Sequence, residues 1–284
     1  MRVPYKVNLP SGDRYAFIKN TLGTRELHTV CEEAHCPNVS ECWESGTATF
    51  MILGSNCSRG CRFCAVTHGN MLPLDPDEPE KVYESAKLMG LDYIVITSVD
   101  RDDLLDKGSS AFANVIKMVK ELKIKIEVLI PDFSGNHEDI DRIIAAKPDV
   151  IAHNIETVQR LTPLVRDPRA GYNQTLAVLE YIKKKDHSII TKSSIMVGLG
   201  ETDIEVEKTM KDLRNAGVDI LTIGQYLRPT KKQLEVKEYS PMSRFKYFEE
   251  AGYKMGFSFV ASGPLVRTSY KAAEGYVKMR GKYD

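Results

Sequence analysis

No thiol follows Cys64: all six cysteines of this 284-residue chain fall between Cys31 and Cys64. Charge of one sign is also lacking. Lys+Arg 39 balances Asp+Glu 39, which excludes a global field for steering nucleic acid or an anionic membrane surface. No run of about 18 apolar residues occurs, which argues against a membrane span. Residues 1–22 lack an apolar signal core and are too mixed in charge for a transit peptide. The expected compartment is therefore the cytoplasm, where thiols stay reduced and open to metals. No fixed-period repeat or low-complexity tract is present, and the length suits a single α/β barrel.

The cysteines form two triplets, Cys31-x4-Cys36-x5-Cys42 and Cys57-x3-Cys61-x2-Cys64. Three chemistries use such spacing. Disulfide frameworks belong to short secreted chains and spread their bridges across the fold, whereas here most of the chain would stay unstapled. Zinc favours four ligands, often from paired C-x2-C elements. Only Cys61-x2-Cys64 has that form, so His35 or His68 would have to complete a site. Three soft thiolates can also grip an iron–sulfur cluster and leave one iron of four open.

Beyond a polar arm of about 48 residues, apolar β-type runs alternate with helical periods. Strands are expected at Thr47–Leu53, Asp92–Thr97, Lys125–Ile130, Val150–Asn154, Ile189–Val197, Asp219–Gly224 and Phe257–Ala261. Helices are expected at Glu78–Met89, Ala111–Leu122, His137–Ala146, Gln174–Lys184, Ile204–Ala216 and Ser243–Met255, with Asp203 starting the fifth of these. Strict alternation implies parallel strands joined by right-handed crossovers. The expected fold is an α/β, partial (β/α)6 TIM-like barrel over 49–261, with an N-terminal cysteine-bearing extension (1–48) and a C-terminal extension (262–284). Barrel sites lie at the C-terminal strand ends, which directs attention to the polar segment after each strand.

Cys57-Ser-Arg-Gly-Cys61-Arg-Phe-Cys64 follows the first expected strand and resembles the radical S-adenosylmethionine superfamily. That resemblance implies a [4Fe–4S] cluster held by Cys57, Cys61 and Cys64, with S-adenosylmethionine on the fourth iron and Phe63 near its adenine. The first triplet, within Glu33-Ala-His-Cys36-Pro-Asn-Val-Ser-Glu-Cys42-Trp, is similar to the auxiliary-cluster motif of lipoyl synthases. So are Thr97–Leu104, Leu129–Phe133, His153–Thr157, Lys192–Thr202, Gly224–Thr230 and Ser262–Tyr270, which together run from about residue 23 to about residue 273.

The resemblance implies a second [4Fe–4S] cluster on Cys31, Cys36, Cys42 and Ser269. The family pattern around the last ligand is Arg-Ser-Ser-Tyr, and this chain departs from it at Thr268, which retains a hydroxyl. It also implies sulfur insertion at C6 and C8 of a protein-bound octanoyl-lysine, with the auxiliary cluster consumed as sulfur source and two S-adenosylmethionine cleaved. Such C–H bonds have no acidity to exploit, so a radical must remove each hydrogen. The implied partners are octanoylated lipoyl carrier domains (a 2-oxoacid dehydrogenase E2 or a glycine cleavage H protein), a ferredoxin- or flavodoxin-type electron donor and an iron–sulfur cluster carrier.

Thr97, Ser98 and Asp100 are expected to hold the methionine amino group and ribose, with Asn154, Glu156, Lys192 and Arg228 facing the same space. Helix capping by Thr97, Ser98 or Asp100, and an ion pair of Glu156 with Lys192 or Arg228, are the structural alternatives. His153 reads as a satisfied core group, and burial explains Tyr226 and Trp43. Arg166, Arg169 and Lys183–Lys185 could meet an acidic carrier domain, although a charge run is usually a solvated face.

Overall fold

The computed structural model describes residues 5, 16, 17, 19, 20, 28, 29, 38–44, 47–270 and 272–280. Among the described residues it is a mostly parallel α/β fold, as the alternation of strands and helices implies. Two compact units make it up. The N-terminal unit comprises Val7–Arg59 and Val66–Ile151; the C-terminal unit comprises Met1–Lys6, Gly60–Ala65 and Ala152–Asp284.

In the N-terminal unit, β1 (His28–Thr29) lies antiparallel to β2 (Thr47–Ile52). The short pair β3 (Asn56–Cys57) and β4 (Thr67–His68) follows. β2 is parallel to β5 (Tyr93–Ser98), which is parallel to β6 (Lys125–Leu129), with Thr47 opposite Tyr93 and Tyr93 opposite Lys125. Every residue of β2 is buried, as a strand covered on both faces requires. Helices α1 (Val39–Glu44), α2 (Glu78–Leu88), α3 (Ser109–Lys120) and α4 (His137–Ala146) complete this unit. Pro79 sits in the first turn of α2, where its missing N–H costs nothing.

Strand β7 (Val150–Ala152) carries the chain into the C-terminal unit. There β8 (Ile190–Val197), β9 (Ile220–Gln225) and β10 (Phe259–Gly263) run parallel, with Lys192 and Phe259 both opposite Ile220. Between them lie α5 (Thr162–Val165), α6 (Tyr172–Lys185), α7 (Asp203–Asn215) and α8 (Met242–Lys254), with α9 (Ala272–Arg280) after β10. Ile195, Val197, Leu221, Ile223 and Val260 pack with Val206, Met210 and Leu213 of α7 and Phe245 and Phe248 of α8. By the two-residue period of a strand, the other face of β8 and β9 carries Lys192, Ser194 and Thr222, all buried.

The strand and helix expectations hold to within a few residues. One helix start is met as expected. Asp203 is the first residue of α7, and its cap is Thr202, whose hydroxyl accepts from the Glu205 N–H while the Glu205 carboxylate accepts from the Thr202 N–H. This reciprocal box satisfies two otherwise orphaned donors. A hydrogen bond from Arg160 lowers the Glu205 carboxyl to about 2. A depressed carboxyl stabilises the folded state above its unfolded value of about 4.3 and loses that contribution as pH falls through about 2. Thr202→Ala is expected to cost about 1 kcal/mol in urea unfolding at pH 7. Glu205→Gln should flatten the dependence of stability on pH between about 5 and 2, measured by the urea midpoint.

Candidate functional site

In the N-terminal unit, β2 ends in a turn at Leu53 (φ 68°) and Gly54 (φ 91°), and the chain then reaches Cys57. The Cys57 Sγ accepts backbone N–H groups from Arg59 and Asp100, each at 3.4 Å. Ser58 donates through Oγ to Asp102 Oδ2 at 2.8 Å. Arg59 is buried and grips two carboxylates in fork geometry. Its Nε and one terminal nitrogen reach the Asp102 oxygens at 2.9 Å, and its two terminal nitrogens reach the Asp132 oxygens at 2.7 and 2.8 Å. Asp100 lies 3.4 Å away on the same cation. Burial opposes the Arg59 charge, but the hydrogen bonds to Asp102 and Asp132 and the nearby Asp100 outweigh it and hold its pKa above the ordinary value. The start of the cysteine loop is thereby tied to the ends of β5 and β6.

In the C-terminal unit, the turn Cys61–Cys64 closes through the Cys64 N–H to the Cys61 carbonyl at 3.1 Å. The segment after α5 supports it. Asp167 Oδ2 accepts the Gly60 N–H at 2.9 Å, the Asp167 N–H donates to Cys61 Sγ at 3.3 Å, and the Arg62 N–H donates to the Val165 carbonyl at 2.9 Å. Hydrogen bonding from Arg169 holds the Asp167 carboxyl well below the usual range, with the Gly60 N–H assisting. A loop after β9 supports the other side. Gln233 Nε2 donates to the Cys64 carbonyl and the Leu234 N–H to the Arg62 carbonyl, both at 3.1 Å.

The same unit joins the end of β7 to the C-terminal tail. Asn154 Nδ2 donates to Glu156 Oε1 at 3.0 Å and to Thr268 Oγ1 at 2.9 Å. Glu156 has φ 67°, a strained value for a residue with a side chain. The strain is held by β8: the Glu156 N–H donates to Ser194 and its carbonyl accepts from Met196. Burial raises the Glu156 carboxyl above its ordinary range against the opposing pull of Arg166 and Asn154. The tail passes close over β9, where a Cβ on Gly224 would meet the Val266 carbonyl oxygen at 2.1 Å.

The expected site residues fall into place unevenly. Thr97 is buried with its hydroxyl on the Leu129 carbonyl, and Ser98 Oγ is buried with no hydrogen-bond partner. Neither they nor Asp100 cap a helix, since α3 begins only at Ser109. Phe63 packs against the core of its unit. Lys192 is 2% exposed. The alternative of an ion pair from Glu156 to Lys192 or Arg228 is corrected: the cation opposing Glu156 is Arg166. Arg228 directs its donors to the Gln233 and Lys231 carbonyls and lies 3.7 Å from Glu235. Arg166 is also withdrawn from the surface. It is buried and donates to Thr175 Oγ1, the hydroxyl that also meets His153 Nε2. Lys183 braces Asp219, and Lys184 pairs with Glu180 on the solvated face of α6. Trp43 and Tyr226 are buried. Cys42 and Ser269 are half-buried, whereas Cys31 and Cys36 lie outside the described residues.

Sequence reasoning missed Arg59, Asp132, Asp167 and Gln233. An arginine inside a cysteine loop, and an aspartate after a strand-ending proline at Pro131-Asp132, were the available signals.

These residues suit the groups that the cysteines imply. Cys42, Cys57, Cys61 and Cys64 form no disulfide among the described residues, and the sulfurs of Cys57 and Cys61 receive amide N–H bonds of the kind that stabilise cluster thiolates. Among the described residues, no three His, Cys, Asp or Glu side chains are grouped to hold a single metal ion. Asn154 Oδ1, Thr222 Oγ1 and Ser262 Oγ of the C-terminal unit are buried without partners, leaving polar capacity for a small molecule.

The model of the radical SAM superfamily matches residues 51–213. SuiB of Streptococcus suis bound to S-adenosylmethionine has this fold, with a TM-score of 0.63 at 12% identity over 80% of this chain and 54% of that one. HydG of Carboxydothermus hydrogenoformans gives a TM-score of 0.61 at 15% identity over 93% of this chain and 68% of that one. Fold, cysteine loop and family model define a radical S-adenosylmethionine enzyme. A lipoyl synthase of Picrophilus torridus is 76% identical over 99% of this chain and 98% of its own length. The lipoyl synthase of Halobacterium salinarum is 54% identical over 96% of this chain and 89% of its own. The chain belongs to the lipoyl synthase family, sulfurtransferases with a cluster that binds S-adenosylmethionine and an auxiliary cluster.

Removing one partner of a buried charge network leaves the others uncompensated. Arg59→Met is expected to lower stability by about 3–5 kcal/mol. Thermal unfolding under anaerobic conditions checks this, and a melting temperature equal to the parent's would count against the role of Arg59 as the fixed point of the loop.

Proposed function

We propose the following division of labour among this chain's residues for the family's reaction, the conversion of octanoylated lipoyl domains to the lipoyl form. Cys57, Cys61 and Cys64 anchor the radical cluster. Cys31, Cys36, Cys42 and Ser269 anchor the auxiliary one. When bound, S-adenosylmethionine on the radical cluster would supply the 5′-deoxyadenosyl radical that removes hydrogen from C6 and C8, and the auxiliary cluster would supply the two sulfur atoms that replace it. The observation that carries the assignment is the set of amide N–H groups aimed at the sulfurs of Cys57 and Cys61. Such donors lower the charge cost of a thiolate without competing for its metal bond.

Asn154 and Glu156 present a carboxylate and an unused amide oxygen to the cofactor, with Lys192, Thr97, Ser98 and Asp100 as further polar contacts and Phe63 beside the adenine. Arg228 acts through its loop, holding Gln233 and Leu234 against the cysteine turn. Asn154 also holds Thr268 and so sets the position of Ser269 next to it, which accounts for the hydroxyl kept at residue 268. A serine oxygen is a weak ligand beside thiolates and suits a cluster that is dismantled in use. The arm 1–48 and the tail 262–284 then serve the auxiliary cluster, and 49–261 serves the radical one. An E2 or H-protein carrier, a ferredoxin- or flavodoxin-type donor, a cluster carrier and a cytoplasmic setting complete the reading. No helix among the described residues is long and apolar enough to cross a membrane.

The decisive assay follows the mass of an octanoylated carrier domain after anaerobic turnover; absence of a two-sulfur gain sinks the assignment. The reconstituted protein should hold about eight irons. Cys31→Ala should keep release of 5′-deoxyadenosine and abolish sulfur insertion. Gly224→Ala, which pushes on the Val266 carbonyl, should bring iron down toward about four per chain by displacing the segment that bears Ser269; an unchanged iron count would separate the tail from the auxiliary cluster.

A further inference from the structure

The cysteine turn of the C-terminal unit is bordered by cations on both of its supports. Arg62, between Cys61 and Cys64, is exposed. Its guanidinium donates to the Leu164 carbonyl at 3.2 Å and forms no ion pair among the described residues. The loop that reaches Cys64 and Arg62 through Gln233 and Leu234 carries Lys231 and Lys232 immediately before those contacts. Both lysines are exposed and neither ammonium has a partner among the described residues. On the other support Arg169 is exposed, although Asp167 neutralises it. The two carboxylates on the lysine loop are each matched by an arginine, Glu235 at 3.7 Å from Arg228 and Glu238 at 3.5 Å from Arg244, so the two lysines and Arg62 remain in excess. Leu164, 55% exposed, supplies an apolar contact beside Arg62.

Two features of this patch concern electron entry. Cys61 and Cys64 are themselves partly exposed, so the patch surrounds a route from solvent to cluster thiolates. The reaction also consumes electrons: each cleavage oxidises an external carrier by one electron and reduces the sulfonium, whose C–S bond breaks to methionine and the 5′-deoxyadenosyl radical. A small cationic surface with a single apolar contact suits a fast, weak, charge-steered encounter better than a long-lived complex.

We propose that Arg62, Lys231 and Lys232, with Leu164, form the docking surface for a small acidic one-electron carrier protein. This rests on the radical-enzyme reading above. Charge complementarity selects the acidic partner, and the position over Cys61–Cys64 selects an electron carrier over an acyl-carrying domain.

The test compares two reductants on the reconstituted holoenzyme, an acidic flavodoxin in its reduced form and dithionite. With K231E/K232E at low ionic strength, flavodoxin-driven release of 5′-deoxyadenosine should fall at least about tenfold and the flavodoxin Kd should rise to match. Added salt should slow the parent with flavodoxin while barely affecting the variant. Dithionite-driven release should stay within about twofold. Lys232→Ala, a milder change, should lose about threefold with flavodoxin alone. The proposal is overturned by an unchanged flavodoxin rate and Kd, by equal losses with both reductants, or by a raised KM for an octanoylated carrier domain with flavodoxin binding intact. Parent enzyme that releases no 5′-deoxyadenosine with dithionite would overturn the radical-enzyme reading itself, and the proposal with it.

Discussion

A buried guanidinium serving three carboxylates is the constraint around which the N-terminal unit's share of the site is arranged. Arg59 has no water to solvate it, so its charge is tolerable only while Asp102 and Asp132 hold it in two forks and Asp100 stands by. Those aspartates come from the ends of two neighbouring strands, and their geometry is fixed by the sheet. Arg59 in turn fixes the backbone on either side of it. Both amide donors to the Cys57 sulfur belong to members of this network, Arg59 and Asp100. One electrostatic requirement thus sets both the place and the electronic surroundings of the Cys57 sulfur.

The C-terminal unit meets the same need without a buried cation. Asp167 accepts from Gly60 and its own amide reaches the Cys61 sulfur, while a glutamine from beyond β9 takes the Cys64 carbonyl. The difference follows from exposure. This turn is partly exposed, and the Asp167 carboxylate, itself held by Arg169, joins backbone hydrogen bonds in giving it direction.

The alternation of parallel strands and helices was legible because strands buried on both faces read as continuous apolar runs. The start of α7 at Asp203 was legible, and its cap is Thr202, with Glu205 three residues beyond closing the capping box. Helix α1 was not legible, since six residues are too few for a period and its order comes from burial of Val39 and Trp43. Helix α9 carries Gly275, which weakens helix propensity, and a Cβ there would crowd the Phe259 ring at 3.0 Å. The cysteines announced themselves by spacing alone. Their supports did not, because Asp132 lies 73 residues from Arg59 and Asp167 lies 107 from Gly60.

Those separations carry a consequence for biosynthesis. Cys61 and Cys64 leave the ribosome early, but the glutamine that braces Cys64 comes 169 residues later. At ordinary elongation rates of about 5–20 residues per second, the turn waits roughly ten to thirty seconds for that brace. Until then the turn lacks this support, and its thiols depend on reducing surroundings to stay unoxidised.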